Sequence, residues 1–122
     1  MAESSAQYHE PVDELSAETI ERHRAIVSLM EELEAIDWYQ QRIDAADDEQ
    51  LREVLDHNRE EEIEHAAMTL EWLRRRIPEF DEILEAYLFT DEPITELEVE
   101  GTSGNGDTDD EPLGIGNLEK ES

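Results

Sequence analysis

Apolar side chains recur along the first two-thirds of the chain with the spacing of helices. Ile20, Val27, Met30 and Leu33 fall at helical intervals, and no Gly or Pro occurs between Ser16 and Pro78. Ser16 stands where an N-cap is needed, with Glu18 and Glu21 near the positive end of the dipole. The pattern predicts a first helix from about Ser16 to Asp44. Ala45-Ala46-Asp47-Asp48 is a short acidic connection in which either Asp can cap the next helix. Leu51, Val54, Leu55, Ile63, Ala66, Ala67, Leu70 and Leu73 then continue the periodicity. Arg74, Arg75 and Arg76 suit the negative C-terminal end of that helix, and Pro78 is expected to stop it. A short third helix is predicted over Glu79 to Leu88, with Ile83, Leu84 and Tyr87 as its apolar side.

The expected fold is therefore all-α: an antiparallel two-helix hairpin with a short C-terminal helix. Two long helices cannot wall off a core by themselves, so such hairpins pair, and two of them make a four-helix bundle. The boundaries divide into a flexible N-terminal segment (1–14), a helical domain (15–96), a disordered acidic linker (97–111) and a terminal segment (112–122). The linker includes GTSGNGDTDDE, a composition that does not fold alone. Behind it stands an apolar island, Leu113-Gly114-Ile115-Gly116-Asn117-Leu118. It reads either as chance hydrophobics in a tail or as a tethered docking peptide.

Charge changes the picture more than length does. The 122 residues carry 36 acidic and 9 basic side chains, a formal net charge of −27, and Lys120 is the only Lys. Such a chain does not bind nucleic acid through its phosphates, and it attracts cations. A high-salt cytoplasm, as in a halophile, accounts for most of the excess, because about 1 M salt screens self-repulsion to roughly 3 Å. A cation-gathering surface is the functional rival. The absence of Cys excludes disulfide scaffolds, zinc ribbons and iron–sulfur clusters. No apolar run approaches the roughly 18 residues of a membrane span. The opening MAESSAQYHEPVDE has neither the basic region nor the apolar stretch of a secretory signal, so a cytoplasmic location is expected.

The chemistry centres on Glu62 and His65. They are i and i+3, so a helix points both to one side. If the turn centres on Ala46, Glu32 lies about as far before it as Glu62 lies after it, roughly 20–24 Å along each helix. An antiparallel hairpin thus brings Glu32 level with the Glu-x-x-His pair. One Glu plus one Glu-x-x-His is half the ligand set of a carboxylate-bridged di-iron bundle, which a second copy would complete. Iron(II) accepts carboxylate and imidazole donors, zinc prefers closed tetrahedral sites, and manganese remains open. Against this stands a solvated i,i+3 contact arising by chance in a Glu-rich chain. Tyr39 is i+7 from Glu32 and shares its stripe. Glu31, Glu34 and Trp38 form an adjacent stripe, either a weaker metal site or an acidic face with Trp38 at a subunit contact. His9, His23 and His57 lack a comparable constellation and read as structural or surface positions.

The stretches Arg22-His23-Arg24-Ala25-Ile26-Val27-Ser28, Met30-Glu31-Glu32-Leu33-Glu34-Ala35 and Asp37-Trp38-Tyr39 come first in the chain. His57-Asn58-Arg59, Glu61-Glu62 and Glu64-His65-Ala66-Ala67-Met68-Thr69-Leu70-Glu71-Trp72-Leu73-Arg74-Arg75 follow. Together, over about residues 8–95, they resemble the encapsulated ferritins, and LGIGNL resembles the peptides that load cargo into encapsulin shells. The resemblance implies a ferroxidase that oxidises Fe(II) to Fe(III) for iron storage within an encapsulin nanocompartment. Its di-iron centre would lie between two subunits, with Glu32, Glu62 and His65 from each as ligands and Tyr39 close by. Glu31, Glu34 and Trp38 would match the family's secondary site on the iron's path inward, where calcium or another divalent ion could also bind. Dimers would assemble into an open ring, a decamer. Leu113, Gly114, Ile115, Gly116 and Leu118 would contact the shell protein. Two other readings remain: a non-catalytic divalent-metal-binding assembly protein, and a di-iron peroxidase.

Overall fold

A computed structural model describes residues 7–98. The residues before 7, the linker from residue 99 onward, and the terminal segment with Leu113, Gly114, Ile115, Gly116 and Leu118 lie outside the described residues. Three helices account for most of the described chain: α1 (Ala17–Ala45), α2 (Glu49–Arg76) and α3 (Pro78–Tyr87). Single 3-10 turns occupy Val12–Glu14 and Ile94–Glu96. Among the described residues there is no strand, and no helix is long and apolar enough to cross a membrane.

The helix starts follow their caps. The Ser16 hydroxyl accepts the Thr19 N–H at 3.0 Å, and the Asp48 carboxylate accepts the Leu51 N–H at 2.8 Å. Each satisfies one of the amides that a first helical turn leaves unpaired. Only Ala46, Asp47 and Asp48 separate α1 from α2. One expectation changes at the far end of α2. Pro78 opens α3 as its first residue rather than merely stopping α2. A first-turn position needs no amide donor, and the proline ring pushes the residue before it out of helical geometry. Ile77 accordingly sits at φ −120°, ψ 97° and ends α2.

The chain divides into two compact units, one ending at Ile77 and the other beginning at Pro78. In the first, α1 and α2 run antiparallel. Glu18 meets Arg76 at the open end, while Glu32 meets His65 nearer the middle. The open end is held by a clamp. The Arg76 guanidinium stacks 4.3 Å from the Trp72 ring centroid and pairs with Glu18 at 3.1 Å. Arg22 donates both to Glu18 at 3.1 Å and to the Arg76 carbonyl at 2.9 Å. The latter bond satisfies a carbonyl in the last turn of α2 that has no partner within the helix. Arg74 and Arg75 instead grip Glu71, each at 2.7 Å.

The hairpin encloses very little. Only Ala66 and Leu73 are buried, while Leu33, Val54, Trp38 and Met68 are at least half exposed. The predicted apolar positions Ile20, Val27 and Met30 reach only intermediate burial. Two helices share one line of contact, so apolar side chains that flank it stay in solvent until another surface covers them. In the second unit, α3 carries Glu79 and Asp81 in its first turn. It ends where the Leu88 N–H donates to the Leu84 carbonyl at 2.9 Å and the Thr90 hydroxyl to the Tyr87 carbonyl at 3.0 Å.

Candidate metal centre

The hairpin register brings Glu32 of α1 against Glu62 and His65 of α2. His65 Nδ1 lies 3.7 Å from Glu32 Oε1 and 3.6 Å from Glu62 Oε1. One donor atom from each of the three side chains lies within 4.8 Å of the others, so the group could hold a metal ion. It is the only such group of three or more donors among the described residues. Two consequences of helix geometry create it. The i,i+3 spacing stacks Glu62 and His65 on one side of α2, and the tight connection sets Glu32 at their level on α1.

Exposure within the group is uneven. The Glu32 and Glu62 side chains keep 25% and 24% of their accessible surface, whereas His65 keeps 49%. The carboxylates line the hairpin seam, and the imidazole borders solvent. The group is electrostatically unsettled as it stands. Glu32 is pushed above its ordinary value, chiefly by a hydrogen bond with the Glu62 side chain and then by burial and the Glu62 charge, with His65 acting in the opposite sense. The Glu32 carboxyl therefore holds its proton more firmly than usual, as expected where like charges meet. A divalent cation between them would relieve that repulsion. Two carboxylates and one imidazole form a donor set that suits first-row divalent ions. They occupy too few positions to close a coordination sphere, so more ligands must come from elsewhere.

Other side chains singled out from the sequence are distributed as follows. Tyr39 is half-buried, with the Arg42 guanidinium 5.3 Å from its ring centroid. Glu31 is exposed, Glu34 is intermediate and Trp38 is 50% exposed. Within one chain Glu31 and Glu34 join no three-donor group among the described residues. His57 pairs with Glu61 at 3.0 Å on the surface, one turn on from it. The His23 ring lies 4.4 Å from that of Tyr8. The sequence reading gave Arg42 no role. An Arg at i+3 from a Tyr on a helix was the signal available.

The EncFtn-like family profile matches residues 7–91. An encapsulated ferritin-like protein of Rhodospirillum rubrum is 53% identical over 132 aligned residues, covering 100% of this chain and 94% of that protein. A ferritin-like protein of Thermotoga maritima is 55% identical over 112 residues, covering 92% of this chain and 97% of its own. A crystal structure of a protein from Nitrosomonas europaea superposes with a TM-score of 0.70 at 58% identity, over 73% of this chain and 98% of the other.

Proposed function

This chain belongs to the EncFtn-like family, and from that premise we propose that it is a ferroxidase whose catalytic centre forms where two copies of the hairpin meet. The observation that carries the reading is the convergence of Glu32, Glu62 and His65 within 4.8 Å. It amounts to half of a di-iron ligand set. A second copy supplies the same three residues, giving four carboxylates and two imidazoles around two ferrous ions, the substrate.

The roles follow from the chemistry of each group. Glu32 and Glu62 present carboxylate oxygens to the incoming cation and neutralise part of its charge. His65 presents Nδ1 to the same space and completes each half-set from the side that borders solvent. Each ferrous ion gives up one electron, and dioxygen accepts the two electrons with two protons from solvent and leaves as hydrogen peroxide. Tyr39 stands two helical turns from Glu32, its ring steadied by the Arg42 guanidinium. Glu31, Glu34 and Trp38 form a weaker cation site on the way in, also open to calcium. The exposed Leu33, Val54 and Ile63 support burial between copies, and the assembled form is a ring of dimers, a decamer. The segment 112–122 tethers that ring to an encapsulin shell, within which the oxidised iron is stored.

The test is Fe(II) oxidation with dioxygen uptake by the assembled protein. Glu32→Ala, Glu62→Ala and His65→Ala should each slow it by at least about 100-fold, because even outer-shell partners of metal ligands are worth roughly 10–100-fold. Undiminished oxidation in all three overturns the proposal. The net charge of −27 favours a second reading, a non-catalytic cation-binding assembly. That reading predicts divalent-ion binding with no oxygen uptake on addition of Fe(II).

A further inference from the structure

The two helices that carry the metal donors share a second regularity. Tyr39 lies seven residues after Glu32 on α1, and Trp72 lies seven residues after His65 on α2. Seven residues are two turns, so each ring stands about 11 Å along its helix from a donor and within about 20° of it around the axis. The helices are antiparallel, so Tyr39 flanks the donors on the side of the turn and Trp72 on the side of the open end. Each ring also carries an arginine. The Arg42 guanidinium lies 5.3 Å from the Tyr39 ring centroid, and the Arg76 guanidinium lies 4.3 Å from the Trp72 ring centroid.

Phenol and indole rings are ready one-electron donors, and the reaction at the centre leaves a demand for electrons. Two ferrous ions supply two electrons, which take dioxygen as far as hydrogen peroxide. Two more electrons and two protons would carry the peroxide to two waters. Tyr39 and Trp72 together hold what that step needs: one hydrogen atom from the phenol O–H and one from the indole N–H, leaving a radical on each ring. When the electron leaves before the proton, the ring is briefly a cation. A guanidinium beside the ring attracts it while it is neutral and repels it once it is charged. Both effects make the electron harder to remove. The net charge of −27 works the other way, because surrounding carboxylates favour a positive ring.

We propose that Arg42 and Arg76 are positioning residues that hold Tyr39 and Trp72 as poor electron donors. Reduction of dioxygen then stops at hydrogen peroxide, and the rings survive turnover. The oxidant in this assignment comes from the ferroxidase reading, whereas the ring geometry stands without it. The two arginines also differ. Glu18 pairs with Arg76 at 3.1 Å and offsets part of its charge.

The test supplies Fe(II) in air to the assembled full chain and maps oxygen added to each ring, per iron oxidised, by peptide mass spectrometry. Arg42→Leu should raise oxidation of Tyr39, and Arg76→Leu that of Trp72, each by at least about twofold, the least that loss of an exposed cation–π contact implies. Each variant should leave the other ring at the parent level. Peroxide recovered per dioxygen should fall in both. Arg42→Lys and Arg76→Lys keep a cation and should restore most of the protection. Glu18→Ala separates charge from packing. It opens the clamp at the end of the hairpin but leaves Arg76 on Trp72 with its charge less offset, so Trp72 oxidation should stay at or below the parent level. The same variants, metal-free, are then exposed to azide radicals, a neutral one-electron oxidant, and the two rings should keep the same ranking. Ring oxidation at the parent level in both Leu variants, or a Glu18→Ala protein that matches Arg76→Leu at Trp72, overturns the inference. A parent that takes up no dioxygen with Fe(II) overturns the ferroxidase reading instead, and the azide measurement still decides whether the arginines hold the electrons of the rings.

Discussion

His65 Nδ1 lies 3.7 Å from Glu32 Oε1, across the seam between α1 and α2. The contact joins a residue before the turn to one after it, so it exists only when the hairpin register is correct. Glu62 lies at almost the same distance from the imidazole, 3.6 Å, on the His65 side of the seam. Folding of a single chain thus gathers three donors, and the count stops there. In the proposed function, the incompleteness of the set is what ties its chemistry to assembly.

The raised Glu32 carboxyl gives a pH dependence with a definite sign. Its proton is held more firmly in the folded chain than in the unfolded one, whose ordinary value is 4.5. The stability so gained is complete below pH 4.5 and is lost as pH rises through the raised folded value. Glu32→Gln keeps a hydrogen bond to Glu62 without a titrating proton. In the metal-free protein it should therefore melt higher than the parent at pH 7 and close to it at pH 4. Equal melting temperatures at pH 7 would contradict the raised Glu32 carboxyl.

Glu71 behaves in the opposite sense. Hydrogen bonds from Arg74 and Arg75 hold its carboxyl down at about 2, against an ordinary 4.5. Its contribution is present above pH 4.5 and is lost as pH falls through 2. The pair is exposed, so the effect is small. Thermal melts of Glu71→Gln should lie slightly below the parent at pH 7 and converge with it near pH 2. A gap that persists unchanged at pH 2 would contradict the assignment.

Leu73 is 2% exposed, the most buried side chain of the hairpin. Truncation to Ala should cost about 2–5 kcal/mol, the range for a leucine removed from a packed site. Leu33→Ala, at a position 54% exposed in the single chain, should cost far less in a dilute monomer. It should cost more in the assembled protein, if copies cover that face. Denaturant unfolding at low and high protein concentration checks both expectations.

Most of this architecture was legible in the sequence. The cap Ser16, the acidic cap offered by Asp47 or Asp48, the missing Gly and Pro from Ser16 to Pro78, and the i,i+3 Glu62/His65 pair are local features, and local features survive folding. The level match of Glu32 followed from counting residues about the turn. What escaped was long-range or depended on single side chains. The arginine run 74–76 read as a response to the helix dipole. The fold instead divides it, sending Arg76 to Glu18 and Trp72 and the other two to Glu71. Pro78 read as a stop because proline ends helices, yet it equally begins them. The exposure of Leu33 could not be foretold from periodicity, which marks an apolar face without saying which surface covers it.

Removing residues 112–122 separates docking from chemistry. The shortened protein should oxidise Fe(II) at the parent rate and fail to co-purify with a co-expressed encapsulin shell. Recovery inside shells at the parent level would contradict a targeting role for Leu113, Ile115 and Leu118.

The claim that the catalyst belongs to two chains is tested most directly by dilution. Fe(II)-dependent dioxygen uptake per chain is measured across a protein concentration series, with mass determined by light scattering at each point. The two-chain centre predicts that uptake per chain tracks the associated fraction and falls to the background rate where the protein is monomeric. A monomer that consumes dioxygen at the same rate per chain as the assembly would contradict it.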